Sequence, residues 1–390
     1  MAEAYIIGAL RTAVGRRHGK LKDWHPIDLG AHLLNELIAR TGTDPNLVED
    51  VIFGCVDQVG AQAANIARNV VLSAGLPETL PATTVDRQCG SSQQALHFAA
   101  QAVMSGVHDV VIAGGVEVMS LVPIGGNAVA GHKAGYGVPY GAGMKRRYPG
   151  VKFNQFAGAE MMAQRWGLTR EQLDAFGLSS HRKAARATRE GRFAREIVPV
   201  TVSSDDGTVE TFEQDEGIRY DASPEAMAAL KPLSEIGLLT AGTSSQISDG
   251  AAAVLVANEQ GLKRLGAKAR ARIHAMTLAA DDPVMMLGAP IPATSKLLAK
   301  AGLRIGDIDL YEVNEAFASV PLAWAKELGA DLDKLNVNGG AIALGHPLGC
   351  TGAKLMTSLL HELERRAGRY GLQTMCEGGG LANATLIERL

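Results

Sequence analysis

The chain of 390 residues repeats one order of elements with a separation of roughly 260 residues. In each half a helix-like segment leads through a short acidic turn into a strand, at residues 29–54 and again at 293–311. A turn that carries glycine and cysteine then enters a second helix, which is followed by an apolar strand ending in glycines, at 109–115 and 374–380. Strand and helix alternate in every α/β protein, but the shared order of three features favours a duplication. The pattern predicts two parallel-rich halves packed as a layered α/β/α sandwich.

The segment between the two halves has a different composition. It is rich in glycine over 121–150 and then becomes helical, at 157–166 and at 170–190. A polar hairpin is expected around Asp205 and Asp206. Long segments of this kind are often functional in compact proteins, so we expect a lid over the substrate. The predicted domains are an N-terminal half (1–118 together with about 243–268), a loop domain (119–242) and a C-terminal half (269–390).

The composition argues against several classes of function. Hydrophobic residues make up 46% of the chain and charged residues 20%, which is typical of a globular protein. A formal net charge of −3 and the lack of a basic run with interleaved aromatics predict no nucleic-acid partner. No apolar run reaches about 20 residues, so the sequence predicts no membrane partner. The first residues lack a secretory pattern, and four cysteines in so long a chain predict free thiols in the cytoplasm.

Cys89 is the best nucleophile candidate. A strand-like stretch, 82–85, leads into its turn, and a helix-like stretch from 93 to about 104 leads out. A thiol at the start of a helix faces the positive end of the helix dipole, which favours the reactive thiolate. The alternative is a small buried apolar residue, the common role of an isolated cysteine. No Cys-x-x-Cys pair is present, so we expect no metal site.

Three further segments strengthen the nucleophile hypothesis. His346 stands between a glycine and a proline, so a turn presents it, and such a histidine beside a nucleophile is a good general base. Cys376 ends a strand before three glycines, which allow a ligand to approach closely. Asn314 follows the strand over 308–313. The two thiols and the imidazole indicate two proton-transfer or nucleophilic roles in one pocket.

These segments resemble the four signature blocks of the thiolase family. The blocks are Gln88-Cys89-Gly90-Ser91, Asn314-Glu315-Ala316-Phe317, Gly345-His346-Pro347 and Cys376-Glu377-Gly378. The resemblance runs along the whole chain, in family order and at family spacing. It implies a duplicated five-layered α/β/α/β/α core with an inserted loop domain. It also implies an acyltransferase that takes CoA and acyl-CoA as substrates, has no tightly bound cofactor, and forms a homodimer or homotetramer.

The resemblance further implies a role for each matching residue. His346 takes the proton of Cys89, which attacks the keto carbon of a 3-ketoacyl-CoA, and Cys376 protonates the departing acetyl-CoA enolate. One oxyanion hole would use His346 and a water held by Asn314; a second would use the backbone N–H groups of Cys89 and Gly378. Arg219 and Ser245 match family positions that contact CoA, although the alternative for Arg219 is an exposed charge without a ligand.

The subgroup is indicated by departures from the biosynthetic acetoacetyl-CoA type. That type carries a His-Met pair where this chain has Asn154-Gln155-Phe156, which resembles bacterial thiolases acting on bulky acyl-CoAs such as sterol side-chain intermediates. We therefore expect a degradative 3-ketoacyl-CoA thiolase. Glu377 is unusual beside Cys376, and strand alternation predicts that it points away. The alternatives are a biosynthetic acetoacetyl-CoA thiolase, a condensing enzyme of the ketoacyl-synthase type, and a non-catalytic lipid carrier or scaffold.

Overall fold

A computed structural model describes residues 2–203, 207–235 and 237–390. The strands in these ranges, in chain order, are β1 (Tyr5–Thr12), β2 (Gly15–Arg16), β3 (Asp50–Gly54), β4 (Ala82–Val85), β5 (Val110–Val118), β6 (Ile197–Val198), β7 (Val200–Ser203), β8 (Val209–Phe212), β9 (Ser248–Ala257), β10 (Ala271–Ala280), β11 (Leu310–Val313), β12 (Tyr370–Glu377) and β13 (Leu381–Arg389). The helices are α1 (Pro26–Thr41), α2 (Ile66–Ser73), α3 (Ser91–Ser105), α4 (Gly126–Lys133), α5 (Ala142–Arg147), α6 (Gln155–Arg165), α7 (Arg170–Arg189), α8 (Pro224–Ala228), α9 (Glu259–Leu265), α10 (Pro290–Ala301), α11 (Ser319–Leu328), α12 (Ala341–Leu344) and α13 (Thr351–Arg366).

The strands follow the duplication expected from the sequence. Their hydrogen-bonded order is β11-β12-β13-β10-β1-β9-β5-β3-β4, and the two halves meet where β1 pairs antiparallel with β10. In the N-terminal half β3 runs parallel to β4 and β5, and β9 runs antiparallel to β5. In the C-terminal half β11 runs parallel to β12, and β13 runs antiparallel to β12. The element order β3, α3, β5, β9 therefore recurs as β11, α13, β12, β13.

Helices cover the strands in layers. One apolar cluster packs α1 and α2 against one face of the N-terminal strands, through residues such as Leu33, Val70 and Phe53. A second cluster places α3 and α13 between the strands of both halves, and a third covers the outer face of the C-terminal strands with α10 and α11. Neighbouring residues of one strand point into different clusters, as period-two alternation requires. The five-layered α/β/α/β/α prediction is confirmed.

The intervening region carries α4 to α8 and returns to the core. Thr169 caps α7 as expected, because its hydroxyl accepts a hydrogen bond from the Gln172 N–H at 3.3 Å while the Gln172 side chain binds the Thr169 N–H. Strands β7 and β8 form the predicted antiparallel hairpin, whose turn residues Asp205 and Asp206 lie outside the described residues. The domain boundaries stay a prediction. No helix within the described ranges is long and apolar enough to span a membrane.

Candidate active site

Cys89 lies on a tight turn between β4 and α3. Gln88 has a left-handed backbone with φ of 49°, and the Gly90 N–H donates to the Arg87 carbonyl at 3.0 Å. The Ser91 hydroxyl closes the turn, since it donates to the Gln88 carbonyl at 2.6 Å and accepts from the Arg87 N–H at 2.9 Å. A left-handed non-glycine residue is costly and is kept only where its surroundings hold it. The turn therefore holds the thiol in one place at the start of α3.

The ionisation of Cys89 depends on more than the start of α3. Burial first, and then the carboxylate of Glu377, raise the pKa of the Cys89 thiol to about 12. Burial removes the hydration that stabilises a thiolate. This loss of free energy is larger than the stabilisation that the helix dipole gives at the start of α3. The start of α3 alone therefore does not make Cys89 a thiolate, which fits the expectation that His346 takes its proton. The thiol is protonated at neutral pH, and it needs a base to become a nucleophile.

His346 is a neutral imidazole with an assignable tautomer. Its Nδ1 lies 2.6 Å from the Thr351 hydroxyl, which donates its own proton to the Pro347 carbonyl at 2.7 Å. Nδ1 must then carry the hydrogen, which leaves Nε2 unprotonated, with a lone pair that can accept a proton. Burial lowers the pKa of His346 to about 3. A neutral ring with an unprotonated Nε2 is the form that accepts a proton.

Asn314 meets His346 as the sequence predicts. Its Nδ2 lies 3.3 Å from His346 Nε2, and its backbone N–H donates to the Thr374 carbonyl of β12 at 3.1 Å. The adjacent Glu315 is buried and accepts from the Ser180 hydroxyl at 2.7 Å and the Asn336 amide at 2.9 Å. These bonds hold the end of β11 beside the imidazole.

Cys376 completes the group at the end of β12. Burial raises the pKa of its thiol well above the ordinary value, and the charges of Cys89 and Glu377 raise it further. The two thiols are thus close enough to interact electrically. Gly378 lies against the turn of the nucleophile, since a Cβ at this position would stand 3.0 Å from Gln88 Oε1. The structure brings the Cys89, Cys376 and Gly378 segments into one site.

Glu377 lies at the end of β12, next to Cys376. It is fully buried, and a Cβ on Gly90 would collide with its Oε1, so its side chain lies directly against the Cys89 turn. When ionised, its carboxylate raises the pKa of both thiols. Strand alternation directs Glu377 away from Cys376, but the face of β12 that it meets is covered by the turn that carries Cys89, so the side chain still lies beside a reacting thiol.

The two predicted CoA contacts lie in different places. The Ser245 N–H donates to the Ala316 carbonyl at 2.9 Å, which places it on the segment that carries Asn314. Arg219 is exposed, and its backbone N–H donates to His181 Nδ1 on α7 at 3.1 Å. Gln246 connects the two regions, because its Nε2 donates to the carbonyls of Gly217 and Ile342, each at 2.8 Å.

Sequence patterns missed several residues that build the site. Thr351 fixes the His346 tautomer, and the backbone N–H of His346 donates to the Ser248 hydroxyl at 3.2 Å and the Gln246 carbonyl at 3.3 Å. Thr351 had a usable signal, since it stands at the start of a helix five residues after the turn histidine. Gln246 and Ser248 had none, because their partners are distant in the chain. Within the described ranges the four cysteines are free and no group of acidic, histidine or cysteine side chains is arranged to hold a metal ion.

Comparison with protein families identifies the chain. The model described as "Thiolase, N-terminal domain" matches residues 4–260, and that described as "Thiolase, C-terminal domain" matches residues 267–389. The chain belongs to the thiolase family, and it is therefore an acyltransferase.

Relatives and solved structures agree with this assignment. A steroid 3-ketoacyl-CoA thiolase from Mycobacterium tuberculosis is 55% identical over 392 residues, which cover 100% of this chain and 95% of the relative. A 3-ketoacyl-CoA thiolase from Shewanella baltica is 44% identical over the full length of both chains. The crystal structure of the Bacillus anthracis acetyl-CoA acetyltransferase matches with a TM-score of 0.91 at 37% identity, covering 100% of this chain and 99% of that one.

Proposed function

We propose that the protein is a degradative thiolase that cleaves a 3-ketoacyl-CoA with CoA to acetyl-CoA, or propionyl-CoA, and a shortened acyl-CoA. The observation that carries the proposal is a pair of protonated, electrostatically interacting thiols, together with a neutral imidazole in contact with Asn314, in a thiolase-family chain. Names of relatives at 55% and 44% identity support the degradative direction, and the biosynthetic acetoacetyl-CoA alternative is not favoured. The family match also disfavours a ketoacyl-synthase-type enzyme.

The first half-reaction forms an acyl-enzyme. His346 Nε2 takes the proton of Cys89, and the resulting thiolate attacks the keto carbon of the substrate. The bond between the α and β carbons breaks, and its electron pair passes to the acetyl-CoA enolate. Cys376 gives the enolate carbon a proton, so acetyl-CoA leaves while the shortened acyl group stays on Cys89 as a thioester.

The second half-reaction releases the product. The Cys376 thiolate left by the first half-reaction takes the proton of a new CoA thiol; the CoA thiolate attacks the acyl carbon on Cys89, and the sulfur–carbon bond to the protein breaks. The Cys89 thiolate regains a proton from His346, and the acyl group leaves as acyl-CoA. Both half-reactions are reversible, and the reverse of the first is a Claisen condensation. This order makes the enzyme ping-pong.

The oxyanions that form in the two half-reactions need preorganised hydrogen-bond donors. We assign the enolate oxyanion to His346 and a water held by Asn314, and the acyl oxyanion to the backbone N–H groups of Cys89 and Gly378. The contact between Asn314 and His346 and the approach of Gly378 to Gln88 support this assignment. The loss of one donor of this kind costs about 10²–10³ in rate.

The acyl group would lie towards the region after Asn154. Phe156 packs edge-on against Phe317, with ring centroids 5.4 Å apart, and Phe317 belongs to the segment that holds Asn314. A cavity of about 430 Å³ adjoins Phe156, and its lining mixes apolar side chains such as Met161 and Leu239 with the polar side chains of Glu160 and Gln164. Cavities of this size can hold bulky ligands. We therefore propose bulky or steroidal 3-ketoacyl-CoAs as the substrate class.

The remaining parts of the function follow the family resemblance. We propose that CoA binds over the loop domain (119–242), near Arg219 and Ser245. We also propose that this domain is inserted between an N-terminal half, formed by 1–118 with about 243–268, and a C-terminal half, formed by 269–390. We further propose that the protein needs no tightly bound cofactor and works in the cytoplasm as a homodimer or homotetramer.

Thiolysis across short, long and steroidal 3-ketoacyl-CoAs tests the proposal. We expect the highest kcat/KM for the bulky substrates, and activity confined to acetoacetyl-CoA would contradict the degradative assignment. Cys376→Ala serves as a partial-reaction control, since it should still accept an acyl group from acyl-CoA on Cys89 but lose carbon–carbon cleavage. Full thiolysis by this variant would refute the acid role of Cys376.

A further inference from the structure

Two buried glutamates occupy matching positions in the two halves. Glu117 lies near the end of β5 and Glu377 at the end of β12, and these strands correspond in the duplication. Each side chain crosses to the other half. Glu117 lies against Gly349, where a Cβ would stand 2.6 Å from its Oε2, and Glu377 lies against Gly90. The two turns that receive them are those that precede α13 and α3.

The hydrogen bonding of these two carboxyls differs completely. Glu117 accepts from the backbone N–H groups of Val56 at 2.9 Å and Gly349 at 2.8 Å, and from the Gln62 amide at 2.7 Å. In the part of the chain that the structure describes, neither buried oxygen of Glu377 has a partner at full hydrogen-bond geometry, although the Asn383 backbone N–H lies near enough to lower the pKa of this carboxyl. Burying a polar group without hydrogen-bond partners costs free energy, so a buried carboxyl at this position suggests a functional role.

The surroundings of Glu377 are those of the reacting thiols. On the turn before α3 it faces Cys89, the cation of Arg87 and the carboxylate of Asp86; on its own strand it neighbours Cys376. From β13 it is approached by Asn383, whose amide donates to the Gly90 carbonyl at 3.0 Å. Glu377 thus packs against the backbone that presents Cys89, and the Arg87 cation and the Asn383 N–H lower its pKa.

We propose that Glu377 is a positioning residue that acts through Cys89: its carboxyl, held against Gly90, sets the pH range in which this thiol gives up its proton. The inference rests on the proposed function, since it concerns the nucleophile of that reaction. It assigns Glu377 no contact with the substrate.

The sign of the effect follows from the two states of the carboxyl. Burial raises the pKa of Glu377 to about 8, with Arg87 opposing the rise. Below that value the carboxyl is neutral and does not oppose a thiolate on Cys89. Above it the carboxylate is a like charge beside the sulfur, and a like charge raises the pKa of its neighbour. Ionised Glu377 therefore holds back the thiolate at alkaline pH.

The rate of Cys89 alkylation by iodoacetamide, followed by mass spectrometry of its peptide, tests this directly. Glu377→Gln keeps the volume and removes the charge. We expect alkylation of the variant to be at least about ten-fold faster than wild type near pH 9, equivalent to about one pKa unit, and within about two-fold near pH 6. Equal rates in the two proteins at both pH values would overturn the proposal.

Two controls keep the result interpretable. Asp86→Asn removes a carboxylate from the same turn. It should change the alkylation rate in the same direction but by less, because Asp86 contributes least to the raised pKa of Cys89.

If Glu377→Gln does not fold, the infrared carbonyl band of a protonated carboxylic acid in wild type should fade as pH rises through about 8. Ionisation of Glu377 already near pH 6 contradicts the proposal. Alkylation needs no turnover, so a missing thiolase activity would refute the proposed function alone.

Discussion

The two halves of the molecule place a turn at the same point of the fold and use it for different chemistry. In the N-terminal half the turn before α3 carries Cys89, which is half-buried, whereas in the C-terminal half the turn before α13 carries His346 and a fully buried Cys350. Cys350 packs in the central apolar cluster, and its pKa is raised to about 12 by burial. The fold position supplies the start of a helix in both cases. Access to the sulfur and the neighbouring side chains decide which thiol reacts.

The largest effect should separate these two cysteines. Cys89→Ala removes the nucleophile, so we expect thiolysis to fall by about 10⁴-fold or more, as for other enzymes without their nucleophile. Cys350→Ala should keep activity close to wild type and lose about 1 kcal/mol of unfolding free energy through the small cavity. Steady-state thiolysis and urea unfolding of both variants measure this. Equal losses of activity would show that the two turns are not functionally distinct.

A second prediction compares two buried histidines. His346 and His97 both have a pKa lowered to about 3 by burial, but His97 Nε2 lies 2.8 Å from the Thr385 hydroxyl in the central layer. We expect His346→Ala to lower kcat/KM by about 10²–10⁴-fold, the usual contribution of a general base.

His97→Gln is the matched control and should mainly lower stability. Thr351→Val should lower kcat/KM less than His346→Ala, because the imidazole remains but its Nδ1 hydrogen loses its acceptor. Comparable activity in His346→Ala and wild type would remove the base from the mechanism.

A third prediction concerns the paired glutamates. Glu117→Gln replaces one acceptor oxygen with an amide that cannot accept, so buried donors lose their partner at about 1–3 kcal/mol each. We expect a lower urea midpoint and little specific effect on Cys89 alkylation. Glu377→Gln should have the opposite profile, since Glu377 has no hydrogen-bond partner at full geometry among the described residues and Gln keeps one oxygen facing the Asn383 N–H.

The pH dependence of stability sharpens the third prediction. Burial raises the folded-state pKa of Glu377 from 4.5 to about 8, so the folded state binds its proton more tightly than the unfolded chain. Stability from this group is full below the lower value and is lost as pH rises to the higher one. The difference in unfolding free energy between Glu377→Gln and wild type should therefore grow between about pH 5 and 8, on the order of 1 kcal/mol per pKa unit. A difference independent of pH would show that Glu377 does not titrate in this range.

The smallest effect is expected on the loop region. Arg219→Ala should raise the KM for CoA by a few-fold, equivalent to about 0.5–1 kcal/mol. The effect is small because water and salt screen the attraction between an exposed arginine and a phosphate of CoA. Arg182→Ala, an exposed arginine on the neighbouring helix α7, is the control. An unchanged KM in Arg219→Ala would exclude Arg219 from CoA binding.

Much of this fold can be predicted from the sequence, because short local patterns indicate the strands and helices that are repeated in the two halves. The predicted strand 82–85 is β4, and the second predicted loop helix is α7 with Thr169 as its cap. The thiolase assignment, confirmed by the family models, depended on four short blocks in order. Such features are determined by residues that are close together in the chain, so they can be predicted from a single sequence.

Other features depend on contacts that the sequence does not encode locally. The raised pKa of Cys89 is one of them, because burial is a property of the packed site, while the helix-start argument uses only adjacent residues. The contacts of Glu117 with Gly349 and of Glu377 with Gly90 join different halves, so strand alternation alone did not indicate that Glu377 lies beside the Cys89 turn. Gln246 and Ser248 position His346 from about 100 residues away, as their numbering shows.

The most direct test of the account is the covalent intermediate. Wild-type protein is mixed with a bulky 3-ketoacyl-CoA in the absence of free CoA, quenched in acid, and the cysteine peptides are weighed by mass spectrometry. The account predicts one acyl group on Cys89, none on Cys55, Cys350 or Cys376, and its disappearance when CoA is added. An acyl group on another cysteine, or cleavage to acetyl-CoA without any acylated Cys89, would contradict it.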